Sequence, residues 1–105
     1  MAESKSLFEL GLTAQGGRQA RITDITVDSR AVTSGSLFAA LPGSQVHGAN
    51  FILGALEKGA TAILTDAEGA ALARDALATS DAALIVAQDP RQTLAQTASL
   101  WFGSH

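Results

Sequence analysis

Leu37-Phe38-Ala39-Ala40-Leu41 is an unbroken apolar run between two polar segments, Asp28-Ser29-Arg30 before it and Pro42 to Gly48 after it. A strand with one wet face would alternate polar and apolar residues. A short continuous run instead fits a strand buried on both faces, as in a parallel sheet covered by helices on both sides. A buried strand that ends in polar loops is also a way to build a small-molecule pocket, so the same stretch constrains fold and function together.

The flanking sequence supplies the other layers. Ile22 to Val27 is rich in β-branched residues and reads as a strand, but its alternation fails at Thr23-Asp24, where a bend or bulge is expected. Asn50 is placed to cap a helix carrying Phe51, Ile52, Ala55 and Leu56 on one face, with Gly59 as its stop. Ala60 to Leu64 and Ala82 to Val86 read as further strands. Between them, Thr65 and Glu68 form a capping-box pattern ahead of an alanine-rich helix with Leu72, Ala73, Ala76 and Leu77 on its buried stripe. Asp89-Pro90 opens a last helix with Leu94, Ala98 and Trp101 at helical spacing and Gly103 as its stop. Ser6-Leu7-Phe8-Glu9 reads as a capping box for a short first helix ending at Gly11. Strands alternating with helices predict an α/β domain: a small, mostly parallel or mixed sheet of about four to five strands flanked by helices.

Composition removes several function classes. The 105 residues fit one domain, 1–105, and 47% hydrophobic content fits a globular chain. With seven Lys and Arg scattered along the chain and a net charge of −3, a basic stripe for nucleic acid is missing. No apolar run approaches the roughly 18 residues of a membrane span, and Met1 to Ser6 lacks a signal-peptide core. The absence of cysteine excludes thiolate chemistry and fits a reducing compartment, so a cytoplasmic chain is expected, with a monomer as the default. No Gly-x-x-x-x-Gly-Lys-Ser/Thr phosphate loop occurs; Gly16-Gly17-Arg18 lacks the lysine and the spacing. No His or carboxylate group has metal-ligand spacing, so no catalytic residue and no metal site are assigned.

Val27-Asp28-Ser29-Arg30, the run Gly35 to Gly43, Gly48, Phe51-Ile52 and Lys58-Gly59-Ala60, in that order, resemble the N-terminal domain of the Mur ligases, nearest to the tripeptide synthetases among them. The sister branch, which adds D-alanyl-D-alanine, has a similar pattern, but Leu41-Pro42-Gly43 looks more like the tripeptide branch. The chain departs from the common pattern at Ser36, His47 and Asn50. The resemblance implies a domain that binds the UDP end of a UDP-N-acetylmuramoyl-dipeptide. The implied contacts are Val27, Ser29 and the loop residues Ser44, Gln45 and Val46. It also implies a parent enzyme in which a central ATP-binding domain and a C-terminal amino-acid-binding domain carry the chemistry with ATP and magnesium. This chain alone is then expected to be inactive. A regulatory or protein-interaction module on the same scaffold is the remaining alternative.

Uracil's edge presents two carbonyl acceptors and one N–H donor, which backbone amides and a hydroxyl can match without charge. Gly43 and Gly48 free the backbone around Ser44 to His47 to turn its N–H groups inward. The plain alternative is an ordinary Pro-Gly turn with a polar tip. Asp28 and Arg30 share a side of an extended segment: either they pair with each other and shape the loop, or Arg30 reaches a diphosphate. His47 either makes a secondary ligand contact or, on the plain reading of a lone histidine in a polar loop, is a solvated ring.

Overall fold

The computed structural model describes residues 5–6, 21–41 and 48–101. Four strands form one sheet: β3 (Asp24–Thr26), β4 (Ser36–Ala39), β5 (Ala62–Thr65) and β6 (Ala83–Val86), in the order β3-β4-β5-β6, with every pairing parallel. Two short strands, β1 (Lys5–Ser6) and β2 (Arg21–Ile22), pair antiparallel as a separate two-stranded sheet. Ser6 is therefore in a strand and does not cap a helix, and the rest of the expected first helix lies outside the described residues.

The apolar run behaves as its composition dictates. All of β4 is buried, and its side chains alternate between two cores. Leu37 and Ala39 join Ala62 and Leu64 of β5 and Ala83 and Ile85 of β6 on one face. Phe38 and Ala40 join Ile63 on the other. Helix α4 (Pro90–Trp101) covers the first face through Leu94. Helix α1 (Ile52–Glu57) and the segment α2 (Ala67–Leu72) and α3 (Arg74–Ala78) lie on the Phe38 side, through Ile52, Ala55, Ala73 and Leu77. The small alanine side chains let backbone layers approach closely, which suits a chain with few aromatics.

The bend expected at Thr23 is the boundary between β2 and β3. There the Thr23 N–H leaves the ladder and donates to Gly35 O at 2.9 Å. Asp89 caps α4, its carboxylate accepting the Gln92 N–H at 3.2 Å, with Pro90 as the first helical residue. Gly59 closes α1 at φ 106°, a backbone state that favours glycine.

Three local expectations are corrected. A 3-10 turn, Gly48–Phe51, precedes α1, so Phe51 holds the cap position and no side-chain cap bond forms; Asn50 is inside the turn. Asp66, not Thr65, caps α2, accepting the Gly69 N–H at 2.7 Å. Thr65 is the buried end of β5, and its hydroxyl donates to Ala40 O at 2.9 Å. The alanine-rich helix breaks at Ala73; the break turns Ala73 inward and leaves Leu72 57% exposed, outside the buried stripe.

Candidate functional site

In an open parallel sheet, ligands bind beyond the carboxyl ends of the strands, where loops and helix starts leave a crevice. The register Thr26↔Phe38 brings the exits of β3 and β4 side by side at that end. From β3 the chain runs into Val27 and Asp28, then a 3-10 turn, Ser29–Ala31. From β4 it runs through Ala40 and Leu41 towards residues 42–47. The exits of β3 and β4 therefore point in the same direction.

The first corner is fixed by local bonds. Thr26 Oγ1 accepts the Asp28 N–H at 3.0 Å, which holds the strand exit. Asp28 caps the turn, its Oδ1 accepting the Arg30 N–H at 2.9 Å. The Arg30 guanidinium returns to the same carboxylate in a two-point pair: Nε donates to Oδ1 at 3.2 Å and Nη2 to Oδ2 at 3.3 Å. The side-chain bond from Arg30, followed by its backbone N–H, holds the Asp28 carboxyl below its ordinary range. The same carboxylate raises the pKa of Arg30. Of the two readings open for this pair, the mutual ion pair is the arrangement present. From the α1 side, Lys58 Nζ donates to Ser29 O at 3.3 Å, and buried Val32 anchors the far end of the turn.

Beside this corner is a cleft of about 490 Å³ lined by Val27, Asp28, Ser29, Arg30 and Phe51. Its walls differ in kind: Val27 and Phe51 are apolar and exposed, Ser29 offers a hydroxyl, and the Asp28–Arg30 pair forms a charged rim with little net charge. No hydrogen bond joins the Ser29 hydroxyl to another described residue, so it remains available to a ligand or solvent. A smaller cleft of about 360 Å³ lies beyond β5 and β6, lined by Asp66, Ala67, Glu68, Val86, Ala87 and Gln88.

Ser44, Gln45, Val46 and His47 lie outside the described residues. The base of their loop is described: the Gly48 N–H donates to Leu41 O at 2.8 Å, which brings the loop's two ends together. The Gly48 amide is thus used within the chain. A Cβ at Gly48 would lie 2.8 Å from Leu41 N, 2.9 Å from Leu41 O and 3.0 Å from Ala40 C, so this glycine serves close backbone approach.

The structure brings Val27, Asp28, Ser29 and Arg30 together at this cleft, and beside them Phe51, which the sequence reading assigned to the buried face of α1. Ile52 and Phe51 compete for the first position of that face, since Ala55 and Leu56 lie within one turn of both. The structure gives the position to Ile52, fully buried, and turns Phe51 out to the cleft at 49% exposure. Among the described residues no group of three or more His, Cys, Asp or Glu is placed to hold a metal ion, and none of their helices is long and apolar enough to cross a membrane.

Comparison with known proteins gives a consistent result. A family model described as "Mur ligase family, catalytic domain" matches residues 21–101. Two curated relatives are the UDP-N-acetylmuramoyl-L-alanyl-D-glutamate–2,6-diaminopimelate ligases of Streptomyces avermitilis and Streptomyces coelicolor. The first is 44% identical over 86 residues, covering 82% of this chain and 16% of the relative. The second is 44% identical over 95 residues, covering 90% and 18%. The chain thus spans under a fifth of the length of either. A solved structure of the 2,6-diaminopimelate–D-alanyl-D-alanyl ligase of Acinetobacter baumannii superimposes with a TM-score of 0.71 at 23% identity, covering 94% of this chain and 22% of that one. At that identity the likeness is one of fold. Taken with the parallel sheet and its paired strand exits, these matches establish that the chain belongs to the Mur ligase family and has the fold of its N-terminal domain.

Proposed function

We propose that this chain binds the UDP end of UDP-N-acetylmuramoyl-L-alanyl-D-glutamate within an ATP-dependent, cytoplasmic ligase of peptidoglycan precursors, and that the cleft at the exit of β3 receives it. The observation that carries this reading is the juxtaposition of Val27, Ser29 and the Asp28–Arg30 pair around a 490 Å³ cleft at the carboxyl end of a parallel sheet. The relatives at 44% identity are named for that dipeptide substrate. An apolar wall suits a flat base and the Ser29 hydroxyl suits one of its polar edge groups. The guanidinium rim suits the diphosphate, to which Arg30 can turn by exchanging its carboxylate partner for phosphate oxygens. Ser44, Gln45 and Val46, on the loop rooted at Leu41 and Gly48, are assigned the remaining contacts to the nucleotide, with His47 at the loop's end as a secondary contact.

Chemistry belongs to other parts of such an enzyme. The chain's sequence has no phosphate loop, and among the described residues no group of three or more His, Cys, Asp or Glu could hold a metal ion, so ATP and magnesium are assigned to the rest of the parent enzyme. The role proposed for this domain is binding energy remote from the reacting centre, which orients the dipeptide carboxylate for a central ATP-binding domain of the same chain. The D-alanyl-D-alanine-adding ligase is the second reading. Its solved structure shares the fold at 23% identity, and the 44% identity of the diaminopimelate ligases favours the first reading.

Calorimetric titration of the 105-residue chain with UDP tests the proposal. Binding is expected at the wild-type cleft, and Ser29→Ala, with one ligand hydrogen bond fewer, should weaken it by roughly three- to tenfold. No UDP binding up to millimolar concentration by a folded chain would overturn the reading.

A further inference from the structure

Phe51 is unexplained by the packing of the domain. It belongs to neither core, carries no capping bond to α1, and presents about half of its surface to solvent at the mouth of the cleft. The turn that holds it is not loose. The Gly48 N–H anchors one end to Leu41 O, and fully buried Ile52 anchors the other. An aromatic side chain fixed at both ends of its backbone turn yet left uncovered is a preorganised flat surface. The other exposed apolar lining residue is Val27, at 57% exposure. The polar lining groups, Ser29 and the Asp28–Arg30 pair, all lie on the β3 side.

We propose that Phe51 is the stacking platform of this cleft, packing its ring against the face of the ligand's heterocyclic base. This rests on the reading of the cleft as a uridine-nucleotide site and adds what that reading lacks, a residue for the base's π surface. The hydrogen-bonding groups on the β3 side read the edge of a base; they offer nothing to its faces. Stacking on an aromatic side chain tolerates any base, so Phe51 supplies affinity while Ser29 contributes to the choice of uracil. A second consequence concerns ligand class: a diphosphate lacking a base gains nothing from Phe51.

The test is an NMR titration of the 105-residue chain with UDP, following the uracil H5 and H6 protons, with Phe51→Leu and Phe51→Tyr beside the wild type and inorganic pyrophosphate as a second probe. A ring stacked on the base moves H5 and H6 upfield in the wild type and in Phe51→Tyr. Phe51→Leu should abolish that shift and weaken UDP by roughly ten- to a hundredfold, leaving any pyrophosphate affinity unchanged. Wild-type binding of UDP with no upfield shift, or equal affinity in Phe51→Leu, overturns the stacking role and leaves the nucleotide site standing. Absence of UDP binding in the wild type overturns both. Because Phe51 is outside both cores, the leucine variant should keep the wild-type melting temperature; should it unfold, the H5 and H6 shifts of the wild type and Phe51→Tyr still decide the matter.

Discussion

Phe38→Ala should lower the unfolding free energy by about 3–5 kcal/mol, a large part of the roughly 5–15 kcal/mol that holds a domain of this size together. Among the described residues Phe38 is the largest fully buried side chain. Four of its buried neighbours in the core are alanines, Ala40, Ala55, Ala60 and Ala73, beside Val32, Ile52 and Ile63, with Leu56, Leu77 and Leu84 packed at the edge. Alanines have no rotamers with which to fill a vacated space, so the cavity would persist and the cost should fall towards the upper end of that range. Phe38→Leu keeps most of the volume and should cost markedly less. Val32, in the same core, anchors the turn that carries Ser29 and Arg30, so the alanine variant should also weaken UDP binding at temperatures where it is still folded. Urea unfolding of the two variants is the check. A loss below about 1 kcal/mol for Phe38→Ala would contradict a core organised around this ring.

Gly48→Ala should destabilise the chain by about 3 kcal/mol, although it adds a single methyl group. That methyl meets the backbone of Ala40 and Leu41 at 2.8–3.0 Å, and backbone at a strand exit cannot swing aside as a side chain can. Relief requires moving the loop's root away from β4, which breaks the hydrogen bond from Gly48 N to Leu41 O. The proposed UDP affinity should fall with it. Gly54→Ala is the matched comparison. Gly54 is inside α1 with nothing within 4 Å of an added Cβ, so alanine there should stabilise by about 0.5–1 kcal/mol through helix propensity. Opposite signs for the same chemical change, measured by thermal and urea unfolding, are the expected outcome. Equal effects would mean that the strand exit tolerates displacement.

The parts of the fold written as composition were legible in the sequence. An uncharged run long enough for one strand can only be buried on both sides, and β4 is. Failed alternation at Thr23-Asp24 marked the place where the chain passes from one sheet to another. Asp89-Pro90 started α4 because a carboxylate and a preset φ both favour that position, with no competitor nearby. Caps were misread where two adjacent residues could each serve. Thr65 and Asp66 both can cap, and the tie is broken by Ala40 O, a buried acceptor from a strand 25 residues away that needs the Thr65 hydroxyl. No local pattern contains that information. Phe51 was misjudged for a similar reason: the preceding 3-10 turn shifts the helical phase by one residue, so Ile52 takes the core position. Of the site, the Asp28–Arg30 pairing was one of two readings open in the sequence, and it forms across a 3-10 turn capped by Asp28 rather than along the extended segment expected there; the nucleotide role of Val27, Ser29, Ser44, Gln45 and Val46 rests on family resemblance.

Backbone amide mapping of the 105-residue chain during titration with UDP tests the nucleotide site most directly. Shifts should concentrate at residues 27–30, 44–48 and 51, with the β5–β6 end of the sheet around Asp66 and Gln88 unaffected. Shifts centred on that second cleft, or none anywhere, would contradict the assignment of the β3 exit as the site of nucleotide recognition.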